Sequence, residues 1–77
     1  MPDLTAVTRA AIGAFPGRLR ELAKEAGLPY STIARIRHGA LPASPAVARA
    51  VAGALSRWGT RCVRAGQELH AVRRRGR

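Results

Sequence analysis

Apolar residues along this chain recur at intervals of three and four, and no stretch shows the β-branched, period-two alternation of a strand. Four helical segments follow from that rhythm. In the first, Leu4, Val7, Ala11 and Phe15 fall on one face, with Ile12 widening the stripe. Asp3 is suited to cap its start, and Pro16-Gly17 to stop it. The second runs from about Gly17 or Arg18 to Ala26, with Leu19, Leu22, Ala23 and Ala26 at i, i+3, i+4 and i+7. Gly27 then supplies the positive φ that ends a helix, Leu28 is an apolar plug, and Pro29 belongs in the opening turn of whatever follows. The third segment, Tyr30 to about Arg37, has only Ile33 and Ile36 to bury, and Gly39 closes it. After the loop Gly39–Ala43, Ser44-Pro45 opens a fourth helix lined by Val47, Val51, Leu55 and Trp58, with Ala48 and Ala52 allowing close approach.

The rhythm does not stop at Trp58. Cys62, Ala65 or Gly66, Leu69 and Val72 prolong it, and an unbroken helix from 45 to about 74 would be roughly 45 Å long at 1.5 Å per residue. Gly59 argues for a break or kink and Thr60 for a new cap, so two helices or one kinked helix are expected. Phe15 is expected in the core between the first helix and the next two, and Cys62 as a small buried residue. The stripe beyond Trp58 exceeds what a core of this size needs. Leu55, Trp58, Cys62, Leu69 and Val72 are therefore expected to serve in part as a homodimer or protein-partner interface. Folding back on the first helix is the competing use of the same stripe.

The polar positions of the third segment differ from those of its neighbours. Tyr30, Ser31, Thr32, Arg35, Arg37 and His38 are all hydrogen-bond donors, presented by a helix with one narrow apolar edge. A three-residue turn between two short helices, the second rich in donors, is the layout of a helix-turn-helix. The run Leu22-Ala23, Gly27-Leu28, Ser31-Thr32-Ile33, Ile36 and Gly39, followed by Pro42, Ser44-Pro45 and Ala52 to Leu55, resembles the lambda-repressor/Cro-like (XRE-type) helix-turn-helix family over residues 18–56. Beyond residue 56 the pattern departs from that family, which usually continues with a turn and a short fifth helix.

The resemblance implies double-stranded DNA as partner, with the helix 30–37 in the major groove. It implies base contacts from Tyr30, Ser31 and Thr32 and, one turn on, from Arg35, whose planar fork matches guanine O6 and N7. It places Arg18 and Arg20 at the helix start that clamps the DNA backbone, and Arg37 and His38 against phosphate at the far end of the reading helix. Several of these residues have competing uses: Ser31 as the N-cap of its own helix, His38 as a C-cap against the negative end of the helix dipole, Tyr30 as a stacking, phosphate-binding or plain surface residue, and Arg18 and Arg20 as solvated surface.

Charge sharpens the picture. The chain has 77 residues, 14 Lys and Arg against 4 Asp and Glu, and a formal charge of +10. Residues 1–30 hold four bases and three acids, a net of +1, whereas residues 31–77 hold ten bases and one acid, a net of +9. That asymmetry favours a polyanion. Arg73, Arg74 and Arg75 are expected as phosphate contacts in a basic tail over 73–77, adding affinity without sequence preference. A GC-rich coding sequence also enriches Arg, Ala and Gly, so part of the excess has a compositional reading.

The expected fold class is all-α: a small domain of four or five helices with a central helix-turn-helix at 18–39. A C-terminal helical extension over 56–72 completes a single domain of residues 1–72. One cysteine excludes an internal disulfide, no apolar run would span a membrane, and the N-terminal residues do not read as a secretory signal. A cytoplasmic, nucleoid-associated protein is expected. With four carboxylates and no nucleophile–base pair, metal cluster or phosphate loop, neither catalysis nor a metal, cofactor or small-molecule ligand is expected. Cys62 and His70 stand about 12 Å apart along a helix, too far to share a metal. The leading expectation is a small bacterial or phage transcriptional regulator binding a specific DNA site. The alternatives are an adaptor that docks a polymerase or phage assembly through its last helix, and a non-specific nucleic-acid-coating protein.

Overall fold

A computed structural model describes the backbone of residues 3–75 and the side chains of residues 3–72. The described residues are all-helical: α1 (Leu4–Ala14), α2 (Leu19–Ala26), α3 (Tyr30–Arg37) and α4 (Pro45–Arg75). Local signals set most of the boundaries. Asp3 Oδ2 accepts from the Ala6 amide at 3.3 Å and Ser44 Oγ from the Val47 amide at 3.2 Å, so both side-chain N-caps form. Gly27 and Gly39 have φ of 70° and 83°. Around each, the amide of the residue after the glycine bonds back to the carbonyl five residues earlier: Leu28 to Ala23 at 2.9 Å, Ala40 to Arg35 at 2.8 Å. These are Schellman closures, and they need the left-handed conformation that only glycine adopts cheaply.

The core is built from Ile12 and Phe15 of the α1 end, Leu22 and Ala23 of α2, Ile33 and Ile36 of α3, Ala43, and Val51 and Ala54 of α4. The α3 sequence is a middling helix former, its Tyr, Ser, Thr and Ile each costing about 0.5 kcal/mol against Ala. Complete burial of Ile33 and Ile36, worth roughly 1.5–3 kcal/mol apiece, outweighs that deficit. Packing holds this helix, not propensity.

The buried face of α1 is not the one expected. Leu4 and Val7 are 42% and 49% exposed, while Thr8 is buried beside Ile12 and Phe15. Rotation toward the threonines is stabilised by what they meet: Thr5 Oγ1 accepts from the Ala43 amide at 3.0 Å, tying α1 to the loop before α4. No buried side-chain polar atom among the described residues lacks a partner.

The expected break at Gly59 is absent. α4 is one helix of 31 residues, about 46 Å long at 1.5 Å per residue, and it sets the 53 Å length of the molecule. Contacts on both sides of Gly59 oppose the roughly 1 kcal/mol that a helical glycine costs. On one side Trp58 meets Phe15 edge-to-face, with ring centroids 5.0 Å apart. On the other, Arg61 bonds to Glu25 of α2. The Thr60 hydroxyl, expected to cap a new helix, instead donates to the Ser56 carbonyl at 3.0 Å, one turn back in the same helix.

Past the Arg61–Glu25 contact α4 leaves the body, and this overturns the placement of Cys62, which is exposed. Leu55 and Trp58, in contrast, pack against the core. Among the described residues no helix is long and apolar enough to cross a membrane.

Candidate nucleic-acid interface

The three residues Gly27, Leu28 and Pro29 turn the chain from α2 into α3. Pro29 occupies the N-cap of α3 with extended backbone (φ −61°, ψ 141°), and no side chain caps the helix. Ser31 is therefore not the cap. It stands in the first turn, exposed, with the opening amides of α3 left unclaimed by any side chain.

Burial of Ile33 and Ile36 fixes how α3 is turned. On a helix of 3.6 residues per turn, the direction opposite that edge belongs to Ser31, Arg35 and His38, at i, i+4 and i+7. All three are exposed, with Ala34 half-buried alongside. This strip is the outward face of α3. Two of the expected base-contact residues lie off it. Thr32 is half-buried on the flank. Tyr30, 43% exposed, leans toward α2, where the Arg20 guanidinium lies over its ring at 4.6 Å from the centroid. His38, expected at phosphate or as a C-cap, is the C-cap residue of α3 and falls on the strip.

The flanking bases divide into two groups. Arg18 is the N-cap of α2 and Arg20 lies in its first turn, both exposed. The Arg18 amide donates to Glu21 Oε1 at 3.3 Å, which closes the start of α2, and the cation–π contact sets Arg20 beside the N-terminus of α3. Arg37 turns the other way. Its guanidinium lies across Gly13 of α1, 3.4 Å from where a β-carbon would stand, so this arginine is shared with the α1–α3 seam. In the same seam Arg9 Nε donates to the Ile36 carbonyl at 3.0 Å. Sequence reasoning assigned Arg9 no role, and nothing in its spacing signals this contact, because the partner is 27 residues away.

Further bases are engaged within the fold. Arg57 Nε and Arg61 Nη1 donate to Glu25 Oε1 at 3.2 and 3.0 Å, and Arg57 Nη2 donates to the Glu25 carbonyl at 2.6 Å. The Arg61 bond, then the Arg57 bond, holds the Glu25 carboxyl below the ordinary value of 4.5. Two of the ten bases in the basic half of the chain are thus partly neutralised at the α2–α4 junction. The side chains of Arg73, Arg74 and Arg75 lie outside the described residues, although their backbone continues α4. Among the described residues no group of three or more His, Cys, Asp and Glu comes together to hold a metal ion.

No family model, curated protein or solved structure matches this chain.

Proposed function

We propose that this chain binds double-stranded DNA in a sequence-specific manner, as a small transcriptional regulator of the lambda-repressor/Cro-like helix-turn-helix kind from a bacterium or phage. In this reading α3 enters the major groove. Ser31 and Arg35 face base edges, Arg35 as the bidentate donor to guanine, with the small Ala34 beside them suited to a thymine methyl. His38 closes the strip. Arg18 and Arg20 hold the phosphate backbone next to the start of α3.

One observation carries this reading. The Ser31–Arg35–His38 strip is the exposed side of a helix whose opposite edge, Ile33 and Ile36, is wholly buried, so its donors face away from the chain that positions them. The net charge of +9 over residues 31–77 supports a polyanion as the partner. A non-specific coating protein would share the charge but would not need a donor strip set in one orientation by a rigid core.

The test is selection from a randomised duplex pool, followed by salt titration of the best site against a scrambled one. Arg35→Ala is expected to relax preference at one base position, a loss of about 1–3 kcal/mol on the selected site. Arg20→Ala is expected to weaken all duplexes alike and to reduce the salt slope by about one. Emergence of no motif, with all binding lost to salt, sinks the regulator reading in favour of the coating protein.

A further inference from the structure

Arginines of this fold are held in place in two different ways. Arg57 and Arg61 end on the Glu25 carboxylate, in the ion pairs found among the described residues. An ion pair fixes a guanidinium, but it also offsets the charge that any third group would feel. Arg20 is held otherwise. Its neighbour Glu21 accepts instead from the Arg18 amide at 3.3 Å. Lys24, one turn on along the same face of α2, repels it. The Arg20 guanidinium lies over the ring of Tyr30, its carbon 4.6 Å from the centroid. A ring attracts a cation through its quadrupole and carries no counter-charge, so the guanidinium stays fully positive.

We infer that Tyr30 is a positioning residue and not a base reader: its ring holds the Arg20 guanidinium, charged and un-neutralised, beside the start of α3 to meet a nucleic-acid phosphate, a role that rests on the nucleic-acid reading of α3. The rotation of α3 agrees. With Ile33 and Ile36 buried, helical periodicity puts Tyr30 about 90° round from the centre of the Ser31–Arg35–His38 strip, on the flank toward α2. Tyr30 is 43% exposed and Arg20 is exposed, so the pair stands open to a ligand. An arginine that docks on phosphate from a loose state gives up rotamer freedom, which weakens binding by about two- to tenfold. Contact with the ring orders the side chain beforehand. Tyrosine suits the task because it has only two side-chain torsions of its own to fix. A glutamate at position 30 would hold the fork but offset its charge, and an aliphatic side chain would leave the charge loose. The ring both holds and spares it.

The test is a double-mutant cycle on the full chain, with binding measured to the duplex that selection returns and to a scrambled one. Tyr30→Leu is expected to weaken both duplexes alike, by about two- to tenfold, and to leave the selected motif unchanged. In an Arg20→Ala background the same change is expected to have no effect, because the group it positions is gone. Tyr30→Phe keeps the ring without the hydroxyl and should bind as wild type does. Thermal melts of each variant separate a loss of binding from a loss of fold. Additive losses from Tyr30→Leu and Arg20→Ala overturn the positioning role. So does a motif altered by Tyr30→Phe, which would make the hydroxyl a base reader. Coupling between the two residues with no preferred motif upholds the positioning role while sinking the sequence-specific regulator. A chain that binds neither duplex overturns both.

Discussion

The two halves of α4 have one backbone conformation and one apolar rhythm, yet they live in different surroundings. Up to Trp58 the seam is closed by Phe15, by the α2 residues around Leu22 and by the Glu25–Arg57–Arg61 junction. Beyond it, the same spacing faces solvent. The difference teaches that periodicity specifies a face and not what covers it. Exposure along a helix is decided by where the rest of the chain runs out. The body has three short helices with which to enclose α4, and they reach only its first half.

The sharpest way to break this comparison is to delete one leucine from the body that encloses the first half of α4 and one from the projecting half. Leu22→Ala removes a wholly buried leucine and should destabilise the body by about 2–5 kcal/mol, a large part of what a domain this small possesses. Leu69→Ala, at a side chain 63% exposed, should leave the melting temperature of the body within error. Comparable losses from the two would mean that the projecting half is part of the cooperative unit.

A pair of glycines sharpens it further, with opposite signs. Gly27 and Gly66 both have open space where a β-carbon would go, so sterics within the fold cancel from the comparison. Gly27 sits at φ 70°, and Gly27→Ala should cost about 1–2 kcal/mol for the left-handed backbone alone. Gly66 lies inside α4, and Gly66→Ala should gain about 1 kcal/mol of local helix stability. Circular dichroism should show helicity rising in the second variant and the melt falling in the first.

The smallest effect concerns the junction itself. The two arginines lower the folded-state pKa of Glu25, so its contribution to stability is present above the ordinary value of 4.5 and is lost as pH falls through the lower folded value. Thermal melts should therefore show wild type declining more steeply below about pH 4.5 than Glu25→Gln. Parallel acid limbs for the two proteins would mean that the ion pairs at this exposed site add nothing.

Much of this protein follows from local chemistry. The turn Gly27-Leu28-Pro29, the caps at Asp3 and Ser44, the closure at Gly39 and the limits of α3 could all be read directly, because each depends on residues within one or two turns of one another. The all-α class followed for the same reason. What required the tertiary structure is what depends on distant partners. Thr8 displaced Leu4 and Val7 from the buried face of α1, and an apolar scale ranks those residues the other way. Gly59 failed to break α4 because Phe15 and Glu25, more than thirty residues away, hold the helix on both sides of it. Tyr30 was drawn toward Arg20, and the outward strip of α3 became Ser31, Arg35 and His38, once burial of both isoleucines had set the rotation of that helix. Sequence determined where helices begin, turn and end, since those are short-range energies. Only packing decided which way each helix faces and how far the last one runs, because rotation and continuity are settled by side chains that sequence separation conceals.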